Sequence, residues 1–235
     1  MKKAIRAFGK QLRKGGVGLF YFAGNGIQVK GTNYLIPIGT QIESEADVEY
    51  EAVDAGHVLT QMEEAENNLK IIILDACCDN PFARSFRSIS RGLAKMDAPT
   101  GSILAYATAP GSVASDGPGR NGLYTSTFLK HMMTPGLEIG RLFRQVRINV
   151  LDTSNKKQVP WEASSLTDDF YFASGRGITV VPKKPISKAP KVAAISPDPS
   201  RPNVIKKIKN SLAMEFVYIP PWSFMMGECY QSFGG

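Results

Sequence analysis

The sequence predicts an α/β fold, a mostly parallel sheet flanked by helices. Three observations carry this. Val17–Ala23 and Lys70–Asp75 are nearly continuous apolar runs, the pattern of strands covered on both faces. A helical pattern lies between them, so the two strands are expected to be parallel neighbours in one sheet. A third run, Ser102–Ala107, precedes two amphipathic helical patterns.

Taken in order, Lys3–Lys14 spaces Ile5, Phe8 and Leu12 on one face, with basic residues elsewhere. This is an amphipathic helix packing on a sheet, and Gly15-Gly16 ends it. After Val17–Ala23, Thr32–Ile38 reads as an extended hairpin arm, which Pro37 demotes to an edge. Glu43, Glu45, Asp47, Glu49 and Glu51 lead into a helix expected from Val53 to Glu66, stopped by Asn67-Asn68. Lys70–Asp75 is the second core strand. Residues 79–100 lack regular periodicity and contain Arg84, Arg87 and Arg91. Thr108–Asn121 is a Gly-, Ser- and Pro-rich loop beyond the third strand. Leu123–Met133 and Leu137–Asp152 are two helices broken by Thr134-Pro135-Gly136. The aromatic residues of Gln158–Phe172 close the domain, with a final edge strand expected there.

Composition narrows the function classes. With 43% hydrophobic and 21% charged residues the chain is ordinary globular material. The net charge of +7 invites a nucleic-acid partner. Its distribution argues against one: residues 182–209 hold Lys183, Lys184, Lys188, Lys191, Arg201, Lys206, Lys207 and Lys209 against Asp198 alone. That segment accounts for the whole excess, so the basicity belongs to a linker. Cys77, Cys78 and Cys229 make no disulfide framework, and a reducing compartment, the cytoplasm, is expected. No run reaches the roughly 18 apolar residues of a membrane span, so no membrane partner is expected.

From about Gly175 to Asn210 the prolines Pro182, Pro185, Pro190, Pro197, Pro199 and Pro202 mix with Lys, Ser and Ala. This reads as an extended, semi-rigid linker. The expected organisation is a domain over 1–174, a linker over 175–210, and an apolar restart over 211–235.

Two stretches carry the chemistry. YFAGNGIQVKGTNYLIPIG, starting at Tyr21, and ILDACCDNPFA, starting at Ile73, each run from an apolar strand into polar residues. Parallel neighbouring strands open their C-terminal ends on one edge, where open α/β sheets build their sites. Asn25 and Cys77 are expected side by side there. The two stretches resemble the caspase-like cysteine peptidases of bacteria, relatives of metacaspases and paracaspases. In that family the first usually reads GHG and the second DACRDNPF. The similarity runs from about Met1 to about Phe172. In caspases the His precedes the Cys by roughly 50 residues, and Asn25 precedes Cys77 by a comparable interval. Met214–Glu228 resembles the opening strand of formylglycine-generating-enzyme-like (sulfatase-modifying-factor) domains, with Trp222 where a Gly is usual. The family also places a strand, a helix and a strand before the Lys3–Lys14 helix. One of those strands would lie beside Val17–Ala23, whose edge is therefore expected bare.

The resemblance implies a cysteine-type endopeptidase cutting after Arg or Lys, with protein or peptide substrates and no cofactor. Cys77 takes the nucleophile position. Taken alone, such a Cys is more often an inert buried thiol; the flanking residues argue otherwise. The backbone N–H groups of Gly26 and Cys77 would form the oxyanion hole. Gly24 and Gly26 also suit a plain turn. Asp75, two residues before Cys77, would bind the basic side chain before the scissile bond, and Asp116 is a second acid for that pocket. Simpler roles are a strand-end cap for Asp75 and a turn for Asp116. Cys78 stands at a usual Arg position.

Asn25 stands at the His position. Its amide has no proton to exchange near neutral pH. An unassisted thiol has a pKa of about 8.5, so little thiolate forms at neutral pH. Activity is therefore expected to be impaired. The alternative is an inactive pseudo-peptidase that binds peptides or partners and regulates an attached domain. A third possibility makes that attached domain the functional part. His57 and His131 sit within helical patterns as surface or packing residues. Their spacing supports no metal site.

Overall fold

The computed structural model describes residues 1–77, 89–90, 92–112, 114, 119–174, 206–209 and 215–218, with 77, 89–90, 206–209 and 215–218 as backbone. The chain divides into two compact units, Met1–Pro185 and Ile186–Gly235.

The first unit begins with α1 (Lys2–Leu12), which buries Ile5, Gly9 and Leu12. Gly15 and Gly16, at φ of +91° and +106°, then turn the chain into β1 (Val17–Val29). This strand is longer than the apolar run that marks it. It continues through Gly24-Asn25-Gly26 because its end changes partner. Val17 to Asn25 pair in parallel with β4 (Leu69–Cys77), whereas Gly26 to Val29 pair antiparallel with β2 (Thr32–Leu35). Lys30-Gly31 joins the hairpin with both φ values positive, +50° and +84°, the primed turn that matches strand twist.

The acidic stretch is itself a helix, α2 (Glu45–Glu51), separate from α3 (Ala55–Glu63). The expectation of a single helix over Val53–Glu66, with the acidic residues only leading into it, is therefore corrected. Between them Val53–Asp54 form a short strand, β3, on β2, so β2 lies one place in from the edge. Pro37 falls beyond β2 and leaves its ladder intact. The Ser44-to-Asp47 spacing was the legible signal: Asp47 Oδ2 accepts from the backbone N–H of Ser44 at 2.7 Å and of Glu43 at 3.0 Å. Those bonds hold the Asp47 carboxyl below its ordinary 3.8, with the Ser44 bond the largest cause. A lowered folded-state value means stability present above the unfolded pKa and lost as pH falls through the folded one. Asp47→Asn is therefore expected to be less stable than the parent near neutral pH. The gap should close as urea midpoints are followed downward below pH 3.8. A gap of constant size across that range would exclude the linkage.

β6 (Ser102–Tyr106) follows β5 (Ile89–Ser90), a two-residue pairing on β1, and lies parallel to β4. Then come α4 (Leu123–Met132), α5 (Ile139–Thr153) and β7 (Trp161–Ser164), antiparallel on β6. The sheet order is β3-β2-β1-β4-β6-β7, with β5 also on β1. Its centre, β1-β4-β6, is the expected parallel core. Along β4, side chains alternate between two cores. Ile72, Leu74 and Ala76 meet Ile5, Leu12, Val58, Leu59 and Met62 of α1 and α3. Ile71 and Ile73 meet Phe128, Leu142, Phe143 and Val146 of α4 and α5. Phe170 and Phe172 close this second core, Phe172 edge-on to Phe128 at 5.6 Å. The layers are thus helices, sheet, helices.

On the side away from β4, no strand among the described residues pairs with Val17–Gly24. No helix among them is long and apolar enough to cross a membrane. In the second unit β8 (Lys206–Lys209) pairs antiparallel with β9 (Glu215–Tyr218). Of the linker over 175–210 only β8 is described, and of the apolar restart over 211–235 only β9; the remainder of each lies outside the described residues.

Candidate functional site

Parallel pairing of β1 and β4 runs in register from Val17↔Leu69 to Asn25↔Cys77. The two residues singled out by the sequence are therefore direct backbone partners, at the C-terminal ends of adjacent strands. Neighbouring strands lie about 4.8 Å apart, which brings the Asn25 and Cys77 backbones within one strand spacing. Asn25 is exposed, and its carbonyl accepts from the Ile36 N–H at 2.9 Å, anchoring the bend into the hairpin.

Gly26 is buried beneath this end. A Cβ there would come within 3.1 Å of Ala76 Cβ and 3.3 Å of Leu93 Cδ2. Its small size is demanded by packing on β4 and the loop after β5, a reason the sequence does not show. That loop is clamped from β2. Buried Asn33 donates to the Ala94 carbonyl at 2.8 Å and accepts from its N–H at 2.7 Å.

Asp75 lies opposite Ala23 in the register and is half-buried. It belongs to the same alternation as Ile71 and Ile73, so it faces α4. Thr125 of α4 donates its hydroxyl proton to Asp75 Oδ2 at 2.5 Å. Tyr21 of β1 brings its hydroxyl within 2.6 Å of the same Thr125 oxygen. Burial raises the Tyr21 phenol above its ordinary value; the Thr125 contact opposes this and the Asp75 charge adds to it. Tyr124, wholly buried beside them, is pushed well above its ordinary range by burial and then by Asp75 and Glu162. Sequence reading missed Tyr21, Tyr124 and Thr125. The available signal was Thr125, a hydroxyl in the first turn of the amphipathic pattern that becomes α4.

The histidines are elsewhere. His57 lies on α3, which packs against the opposite face of the sheet. His131 lies on α4 about six residues beyond Thr125, or ~9 Å along the axis. Its Nε2 meets Asn149 Nδ2 of α5 at 2.6 Å. Asp116, Cys78, Arg84, Arg87 and Arg91 lie outside the described residues.

The arrangement gathers an amide, a cysteine position and a carboxylate at one sheet edge, with the carboxylate held from the α4 side. Against known proteins, the family model described as a caspase domain matches residues 1–171. No curated protein matches the chain.

Proposed function

The chain belongs to the caspase-domain family, and from that premise we propose that its sheet edge is a cysteine-endopeptidase site for peptides with Arg or Lys before the scissile bond, weakened by Asn25. The observation that supports this most is the backbone pairing of Asn25 with Cys77. In this reading Cys77 is the nucleophile, and the N–H groups of Gly26 and Cys77 hold the oxyanion. Asp75, with Asp116 as a second acid, receives the basic side chain by charge-assisted hydrogen bonding. Asn25 occupies the base position. It neither takes the thiol proton nor returns one to the leaving amine, so the chemical step loses its acid–base component.

A second reading follows from Asn25 itself. A site that holds basic peptides without cutting them is a binding module, able to regulate whatever is joined to it. Both readings need the same pocket. Its test is protection: peptides ending in Arg or Lys should slow alkylation of Cys77 by iodoacetamide, followed by mass spectrometry in a Cys78→Ser background. Peptides ending in Leu or Asp should protect far less. Equal protection by all four, or by none, would remove the basic-peptide site.

A further inference from the structure

Resting on the reading of Asp75 as the acceptor of a basic side chain, we propose that Tyr21 and Thr125 form a one-way hydrogen-bond relay that orients the Asp75 carboxylate for that side chain. Three elements supply it: β1, α4 and β4. Thr125 Oγ1 donates to Asp75 Oδ2 at 2.5 Å and lies 2.6 Å from the Tyr21 hydroxyl. A threonine hydroxyl has one proton, and an ionised carboxylate only accepts. The Thr125 proton is therefore committed to Asp75. Tyr21 must be the donor to Thr125, and the chain runs Tyr21 O–H to Thr125 O–H to Asp75.

Burial differs along the relay. Thr125 is 8% exposed, so its hydroxyl has little access to competing water. Tyr21 is 42% exposed and forms the outer member. A carboxylate at a strand end turns about its own side-chain bonds. Here the Thr125 bond from α4 to Oδ2 restrains the rotation of the group. A guanidinium is recognised best when both carboxylate oxygens lie in the plane of its fork. Thr125 and Tyr21 are thus positioning residues. They select for a basic side chain through Asp75 and touch no reacting atom.

The experiment needs no catalysis. Binding of a fluorescein-labelled tetrapeptide ending in Arg is measured by anisotropy beside its Leu-ended counterpart, on the protein as it stands. Thr125→Val keeps the shape and removes the hydroxyl. It should lower the Arg-over-Leu preference about tenfold, the loss typical of a hydrogen bond to a charged group. Thr125→Ser should restore it to within about twofold, which a purely structural role for the threonine methyl would not do. Tyr21→Phe, at a half-exposed position, should lower it about threefold, and it carries the test alone if Thr125→Val does not fold. If Asp75→Asn abolishes the preference while folded Thr125→Val and Tyr21→Phe leave it whole, the relay is wrong and the Asp75 reading stands. If the unmodified protein shows no Arg preference, the Asp75 reading falls and takes the relay with it.

Discussion

Asn25→His is expected to raise cleavage of a fluorogenic peptide ending in Arg by about 10²–10⁴-fold over the unmodified protein, the usual worth of a positioned acid–base group. The register places position 25 against position 77, so an imidazole introduced there starts from a neighbouring strand end. Asn25 is exposed, so the larger ring meets no packed core. The histidines already present do not substitute, since His57 lies on α3 in the helical layer of the other sheet face, and His131, further along α4, is engaged with Asn149 of α5. Cys77→Ala in both backgrounds gives the blank. Cleavage by Asn25→His alone identifies a disarmed peptidase and favours the binding-module reading for the unmodified chain. Equal Cys77-dependent cleavage by both would show that the base is another residue. If neither folded protein cleaves, the peptidase reading fails and the fold serves as a scaffold.

Gly92→Ala is expected to cost about 3 kcal/mol of stability. Two effects add. Gly92 has φ +71°, where an L-residue pays ~1–2 kcal/mol. An added Cβ would also lie 2.5 Å from Ser112 N and 2.6 Å from Gly111 C and Ser112 O, all backbone atoms unable to swing aside. Overpacking of this kind costs roughly 1–3 kcal/mol. Gly31→Ala is the control. Its φ is +84°, but nothing lies within 4 Å of the added carbon, so only the conformational cost of ~1–2 kcal/mol applies. Urea unfolding with unchanged m reads both differences as shifts in midpoint. Similar midpoints for the two variants would show that the loop at Ser112 yields freely. The consequence extends to the site, because Leu93, next to Gly92, backs Gly26.

Much of this protein was legible in the sequence for a simple reason. A strand covered on both faces must be apolar throughout, so the apolar runs Val17–Ala23, Ile71–Leu74 and Ser102–Ala107 announced the parallel core without any knowledge of contacts; Ile71–Leu74 and Ser102–Tyr106 are buried on both faces, whereas Val17, Tyr21 and Ala23 of β1 are exposed. The same reasoning carried Asn25 and Cys77, since parallel strands joined by a crossover end on one edge. What the tertiary structure decided was where β1 stops and what surrounds Asp75. Polar residues at Gly24-Asn25-Gly26 read as a strand end, yet β1 continues, because its ladder passes from β4 to β2. Local hydropathy carries no information on that change of partner. Val53–Asp54 likewise became a short strand through β2, against a local helical pattern. Thr125 reaches Asp75 only because α4 packs over β4, joining residues far apart in the chain. A hydrogen bond between distant residues leaves no periodicity behind. Sequence alone brought Asn25 and Cys77 to one strand edge, and only packing supplied the groups that hold the Asp75 carboxylate.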